Sequence, residues 1–227
     1  MFYFAVAHYK FDGGVNITAS HNPSQHNGFK MVRDNAKPIS ETSGIREIKT
    51  LTESQFQATK SKGRVIKKEV LKDYAIFNLK EIDKNSLKPF KIVIDTANAV
   101  SGMVIPEIFK KLSCKIDHLF KKSDGSFPNH PPDPHVKENL KELQKQVLKK
   151  KADLGIAFDG DGDRIIFINE KGEIIGGDLI TALIVSMLLK NKPGEKIFYD
   201  IRSSKVVKEV IKNAGGKVVT GRLGHSF

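Results

Sequence analysis

The stretch that decides the fold is KIVIDTANAVSGMVIPEIFKKLSCKIDHLF, residues 91–120. Strand and helix patterns alternate here and just beyond, at 91–95, 103–112, 114–120, 136–150 and 152–158. Parallel strands need a crossover connection, which is usually a helix, so this order predicts a largely parallel sheet covered by helices. We therefore expect an α/β protein.

The flanks continue the α/β pattern. Toward the N-terminus, a strand pattern at 14–20 opens into a polar loop at 20–28, and helical patterns follow at 41–59 and 63–87. Toward the C-terminus, the predicted elements are strands at 165–169, 196–200 and 217–220, a helix that begins at Asp178, and a helix at 203–213.

These patterns divide the chain into three α/β/α sandwich domains with mixed or parallel sheets, at 1–88, 89–172 and 173–227. The first boundary lies near Pro89, where a lysine-rich stretch ends. The third unit has only two predicted strands, which cannot bury both faces of a sheet, and the first unit begins as abruptly. We therefore expect the first and last domains to be incomplete.

Composition disfavours membrane and nucleic-acid functions. Hydrophobic residues make up 39% of the chain, and the longest apolar run, 179–189, is too short to span a bilayer and is expected to be a buried helix. The net charge of +12 comes from dispersed lysines, without an aromatic ladder, so we expect neither a nucleic-acid nor a membrane partner. The lone Cys114 and the lack of a leader pattern favour a cytoplasmic protein.

The strongest chemical signal is the loop DGDGDR at residues 159–164. Carboxylates that alternate with glycines can converge their oxygens on one hard cation. An EF-hand calcium loop is the competing interpretation, since Asp159, Asp161, Asp163 and Glu170 occupy its acidic positions. However, Arg164 stands where the EF-hand glycine belongs, and the flanking patterns are strands rather than helices. A plain solvated turn fits poorly with this charge density.

The loop TASHNP at residues 18–23 is the second candidate. Ser20 could be a nucleophile beside His21, or Thr18, Ser20 and Asn22 could serve only as turn and capping residues. Spacing alone favours the turn, because the loop is not a G-x-S-x-G elbow and adjacent serine and histidine do not make a triad. From the residues alone, both interpretations stay open.

Taken together, four segments resemble the α-D-phosphohexomutases, the family that includes phosphomannomutase and phosphoglucomutase. These segments are 14–23, NGFK at 27–30, 124–140 with its proline-rich core, and 159–164. The peptide GSFPNHPP at 125–132 is similar to the phosphomannomutase/phosphoglucomutase branch rather than to the phosphoglucosamine mutases. The resemblance implies an isomerase that interconverts hexose 1-phosphates and 6-phosphates.

The resemblance also implies roles for individual residues. The residues that match the family's functional positions are, as catalytic residues, Ser20, Lys30 and His21; as ligands of Mg²⁺, Ser20, Asp159, Asp161 and Asp163; and as substrate-binding residues, Arg164, Arg202 and His225. In such an enzyme the serine carries the active phosphate and the lysine is the candidate general acid/base. A hexose phosphate is the implied small-molecule substrate, and a hexose 1,6-bisphosphate is the implied activator.

The resemblance covers only part of the family's four-domain plan. The matching segments do not include the family's early arginine motif, its glutamate-x-serine-glycine-histidine sugar loop or its fourth domain, so we expect slow turnover by this chain alone. The alternative is a non-catalytic α/β module that binds Mg²⁺ or Ca²⁺. It predicts metal binding without a phosphorylated Ser20.

Overall fold

The N-terminal unit combines three helices with a small sheet. The computed structural model describes residues 1–54, 62–83 and 86–221. Helix α1 (Phe2–His8) packs against the antiparallel pair of β1 (Gly13–Ile17) and β2 (Phe29–Arg33), and helices α2 (Ile45–Glu53) and α3 (Leu71–Leu79) follow. Because Ile17 pairs with Phe29, the loop 18–28 projects from one end of this sheet.

The central unit is a five-stranded mixed sheet with helices. Its elements are β3 (Lys91–Asp95), α4 (Ser101–Phe109), β4 (Lys115–Leu119), α5 (Lys141–Lys150), β5 (Leu154–Phe158), β6 (Ile165–Asn169) and β7 (Ile174–Ile175). The strand order is β4-β3-β5-β6-β7, in which β4, β3 and β5 are parallel and β6 and β7 are antiparallel to their neighbours.

The strand order creates a switch point between β3 and β5. The chain leaves β3 for β4 on one side and later returns to β5 on the other side. In open α/β sheets, ligands bind outside the carboxyl ends of the strands at such a point. Asp95 ends β3, and Asp159 follows β5 directly. The topology therefore brings the aspartate loop to the edge of the sheet where a ligand site is expected.

Two apolar layers hold the central unit together. On one face, Leu143 and Val147 of α5 pack against Val93 and Ile168. On the other face, Ile105 of α4 packs against a second cluster that includes Ile92, Ile94 and Ile156. Successive residues of a strand point to opposite faces, so a strand covered on both sides is apolar throughout. This explains the continuous run Ile92, Val93, Ile94 that opens the fold-deciding stretch.

The C-terminal unit contains two helices and two strands. These elements are α6 (Gly177–Asn191), β8 (Lys196–Asp200), α7 (Lys205–Asn213) and β9 (Lys217–Gly221), and the two strands are parallel. Val185 and Leu189 of α6 pack with Val207 and Ile211 of α7 as a separate small core. Within the three described ranges, no helix is both long enough and apolar enough to cross a membrane.

The α/β class and the mixed sheet are confirmed, but two helix predictions are wrong. The helix predicted at 63–87 is reduced to α3, because 62–70 is rich in lysine and has no apolar stripe to bury; Val65 is 96% exposed. The run 179–189 is not a buried helix, since Leu183 is 58% and Met187 62% exposed. The two-stranded sheet beside α6 offers too little surface to cover more than one side of it.

Candidate active site

The candidate active site forms where the serine loop after β1 meets the aspartate loop between β5 and β6. The Ser20 hydroxyl donates a hydrogen bond to Asp159 Oδ2 at 3.0 Å and lies 3.4 Å from Asp161 Oδ1. The partners are separated by more than 130 residues along the chain. The fold thus joins two motifs that the sequence presents as unrelated loops.

Thr18 ties the two loops together. Its hydroxyl oxygen accepts the Ser20 backbone N–H at 2.8 Å and donates to Asp161 Oδ2 at 3.1 Å. Ser20 has φ of 56°, in the left-handed region that residues other than glycine seldom adopt. Such a conformation persists only where surrounding bonds enforce it, and it is common at functional sites. Sequence reasoning treated Thr18 only as a turn residue.

Two glycines allow the aspartate loop to approach its neighbours closely. A Cβ atom on Gly160 would collide with the carbonyl group of Ser20, so the backbones touch at this point. Gly162 has φ of 72°, and a Cβ there would collide with the Ser101 hydroxyl at the start of α4. Gly160 is therefore needed for contact with the serine loop, and Gly162 for the turn itself and for the close approach to α4.

Asp159 is the buried carboxylate of the loop, with no exposed surface. Its Oδ1 accepts the Arg164 backbone N–H at 3.1 Å, while Oδ2 accepts from Ser20. Burial raises the pKa of Asp159 above its ordinary value, and the carboxylates of Asp161 and Asp163 add to the rise against these hydrogen bonds. A cation placed here would remove this penalty.

Lys30, on β2, neutralises the other two carboxylates. Its ammonium lies 2.7 Å from Asp161 Oδ2 and 2.6 Å from Asp163 Oδ2. Burial acts to lower the pKa of Lys30, but the two carboxylates outweigh it and raise the pKa. For Asp161, burial acts to raise the pKa, and the bond and charge of Lys30 outweigh it and hold the pKa below its ordinary value.

The three aspartates fit a divalent cation. One carboxylate oxygen from each of Asp159, Asp161 and Asp163 can lie within 4.8 Å of the others. An all-oxygen set of this kind suits hard cations such as Mg²⁺ rather than soft metals. Three carboxylates beside one ammonium also leave an excess of negative charge. The arrangement could hold a metal next to the Ser20 hydroxyl.

The remaining predicted residues divide into near and separate groups. His21 Nδ1 lies 3.3 Å from the Ser20 hydroxyl. Arg164 joins the site through its backbone N–H, and its half-buried side chain makes no hydrogen bond within the described part of the chain. Arg202 is exposed and pairs with Asp200 in the C-terminal unit. His225 lies outside the described residues.

Comparison with known proteins places both loops in one family. The phosphoglucomutase/phosphomannomutase α/β/α domain I model matches residues 1–59, and the domain II model matches residues 69–172. A phosphomannomutase of Vibrio cholerae is 38% identical over 231 residues, which cover 99% of this chain and 50% of that protein. A phosphomannomutase of Methanocaldococcus jannaschii is 38% identical over 222 residues, which cover 96% of this chain and 49% of that protein.

The fold agrees with these sequence matches. The crystal structure of a phosphoglucomutase/phosphomannomutase family protein from Burkholderia thailandensis superposes with a TM-score of 0.86 at 32% identity, covering 95% of this chain and 46% of that one. The chain therefore spans about half the length of the relatives it matches. With two family models, relatives at 38% identity and a shared fold in agreement, this chain belongs to the phosphoglucomutase/phosphomannomutase family of phosphohexomutases.

Proposed function

We propose that this chain carries the phosphoryl-transfer centre of a phosphohexomutase, with Ser20 as the residue that is phosphorylated. The observation that carries the proposal is the Ser20 hydroxyl held between Asp159 and Asp161, with Lys30 bonded to the same loop. The names of the relatives, phosphomannomutase and phosphoglucomutase, support the reaction class. The substrate would be a hexose monophosphate.

In the proposed reaction, the phosphoryl group moves from Ser20 Oγ to a free hydroxyl of the sugar. The bond from phosphorus to Oγ breaks and a bond to the sugar oxygen forms, while the proton that the sugar hydroxyl gives up is passed on to Ser20 Oγ, which leaves as the free hydroxyl. The resulting hexose 1,6-bisphosphate then returns its other phosphoryl group to Ser20, so the net change is an exchange between the 1- and 6-positions. Added bisphosphate would accordingly act as the activator.

The side chains around Ser20 are suited to the charge that this transfer moves. Phosphoryl transfer depends mainly on positioning and on neutralising the charge of the phosphate oxygens. Mg²⁺ bound by Asp159, Asp161 and Asp163 would supply positive charge beside the phosphoserine. We assign Lys30 to proton transfer and His21 and Arg164 to the phosphate oxygens. His21 lies beside the Ser20 hydroxyl, and Lys30 and Arg164 form hydrogen bonds in the aspartate loop, which supports these roles.

Two further assignments follow from the family pattern. Arg202 and His225 are proposed to contact the substrate, on the motif resemblance alone. The domain division at 1–88, 89–172 and 173–227 is likewise a proposal. The separate sheets formed by β1 and β2, by β3 to β7, and by β8 and β9 support three units, but β7 (Ile174–Ile175) of the central sheet lies just beyond the second boundary. In this division, Ser20 and the aspartate loop belong to different domains, so the site would lie at their junction.

The test is an assay for the phosphorylation of Ser20. The purified chain is incubated with glucose 1,6-bisphosphate and MgCl₂, and its intact mass is measured. We expect one added phosphoryl group, absent from Ser20→Ala and present in the matched control Ser24→Ala, which alters an exposed serine of the same loop. A folded protein that binds Mg²⁺ without gaining mass would favour the alternative, a non-catalytic metal-binding module.

A further inference from the structure

A buried carboxylate, Asp95, forms a pair with the half-buried imidazole of His130. Asp95 ends β3 and is only 1% exposed. Its Oδ1 accepts the Ala97 backbone N–H at 2.8 Å, and its Oδ2 lies 3.0 Å from His130 Nε2. His130 belongs to the proline-rich loop between β4 and α5, for which sequence reasoning gave no histidine role.

Both ring nitrogens of His130 face hydrogen-bond acceptors. Nδ1 lies 2.8 Å from the Pro131 carbonyl oxygen, and Nε2 faces the Asp95 carboxylate. A carbonyl oxygen cannot donate, and a neutral imidazole carries only one N–H. The remaining proton therefore lies between Asp95 and His130, and an imidazole holds a proton more tightly than a carboxylate does. A proton on each ring nitrogen makes both contacts hydrogen bonds, so the geometry favours an imidazolium at this position.

The surroundings of His130 agree with a positive charge. Burial acts to lower the pKa of His130, but the bond and charge of Asp95 outweigh it and raise the pKa above its ordinary value. The Phe120 ring packs edge-on at 5.2 Å between centroids. Among the other titratable groups on the adjoining segments, His118 bonds Thr96 and also feels the charge of Asp95, although burial lowers the pKa of His118 overall. The remaining groups are bonded elsewhere or exposed: Asp124 accepts from Ser126, Asp133 accepts the His135 N–H, and Lys121 and Lys122 are exposed.

The loop that carries His130 supports the aspartate loop. Pro132, two residues further on, is fully buried. A Cβ on Gly160 would collide with the Ser20 carbonyl group and would lie 3.5 Å from Pro132 Cβ. Pro132 and Ser20 thus both border Gly160. A shift of the proline-rich loop would pass through Gly160 to the serine.

We propose that His130 is a positioning residue: its imidazolium, bound to Asp95, holds the proline-rich loop against Gly160 and so fixes Ser20 relative to the aspartates. The importance of this role for catalysis rests on the proposed function. The protonation of His130 and its effect on the loops can be tested without that function. A neighbouring bond contributes to the same anchor, since Asn129 Nδ2 donates to Asn98 Oδ1 at 2.7 Å.

The first measurement is the protonation of the His130 ring, by ¹⁵N NMR of the imidazole nitrogens. We expect both nitrogens to carry protons at neutral pH, where an ordinary histidine, with a pKa of about 6.5, is mostly neutral. A neutral His130 ring at neutral pH would overturn the proposal whatever the protein's activity. Phosphorylation of Ser20 is not involved in this measurement, so its outcome is separate from that of the proposed function.

The second measurement is the protection of the Ser20 and Arg164 amides from hydrogen exchange. We expect His130→Gln and His130→Ala to speed exchange at both amides, whereas His118→Gln, at a half-buried histidine bonded to Thr96, leaves them unchanged. Unchanged protection in a folded His130 variant would refute the positioning role.

The third measurement is Mg²⁺ affinity as a function of pH. Loss of a residue that supports metal ligands commonly costs about tenfold or more in affinity, and we expect about tenfold for His130→Ala. In the unmodified protein, affinity should fall as pH rises through the raised pKa of His130, while His130→Gln shows no such step and His118→Gln retains it. A pH-independent affinity in the unmodified protein would contradict the proposal.

Discussion

Replacing Lys30 with methionine should tighten Mg²⁺ binding rather than weaken it. The ammonium bonds Asp161 and Asp163, which are two of the three candidate ligands. A cation bound by all three aspartates must share or replace that ammonium. Methionine keeps the length and apolar stem of the side chain and removes only the competing charge, so the carboxylates of the variant repel one another until the metal binds.

The magnitude follows from the exposure of the two ion pairs. The Asp161 side chain is 9% exposed, and a partly buried bond between charged groups stabilises by about 1.5 kcal/mol or more. Asp163 is 48% exposed, and such a pair contributes about 0.5 kcal/mol. The ammonium therefore stabilises the metal-free loop by about 2 kcal/mol, and since about 1.4 kcal/mol is tenfold in affinity, Mg²⁺ should bind the variant about 30-fold more tightly.

Isothermal titration with MgCl₂ at fixed ionic strength measures this difference. Lys37→Met is the matched control, because it removes one exposed lysine from the segment after β2 and lowers the net charge equally. Lys30→Arg keeps the positive charge and should bind Mg²⁺ as the unmodified protein does. If Lys30→Met bound Mg²⁺ with unchanged or lower affinity, the ammonium would not compete with the metal, and the reasoning would be refuted.

Three further substitutions test the site and the core. Thr18→Val preserves the shape of the side chain but removes the acceptor of the Ser20 N–H and a donor to Asp161. We expect the free energy of unfolding in urea to fall by about 1–3 kcal/mol and the Ser20 amide to exchange faster. No change in either quantity would contradict the bridging role. Gly160→Ala should force the serine and aspartate loops apart, lower the free energy of unfolding by about 1–3 kcal/mol and abolish phosphorylation of Ser20. Full phosphorylation of this variant would show that the close contact is dispensable. Leu143→Ala, at a fully buried position under the central sheet, should cost about 2–5 kcal/mol, and a much smaller loss would indicate that the cavity collapses.

The central unit was the most predictable part of the fold. The bounds of β3 and β6 are those predicted, and the bounds of β5 differ by two residues. Here the hydrophobic pattern is long, and the apolar residues of each strand are buried on the faces where the pattern places them. The local preference for a strand and the tertiary contacts therefore agree. Prediction failed for 63–87 and for the burial of 179–189, because the extent of a helix and its burial depend on how much surface its neighbours offer.

The sequence by itself determined which side chains could bind a metal or carry a phosphoryl group, and which protein family the chain resembles. The aspartate loop predicts a cation site, because carboxylates that alternate with glycines can converge their oxygens on one hard cation. Only the tertiary structure decided that Ser20 bonds Asp159, that Thr18 links the two loops, and that Asp95 pairs with His130. These contacts join residues that are far apart in the chain, and side-chain distances at a sheet edge are set by strand order, which no local pattern encodes.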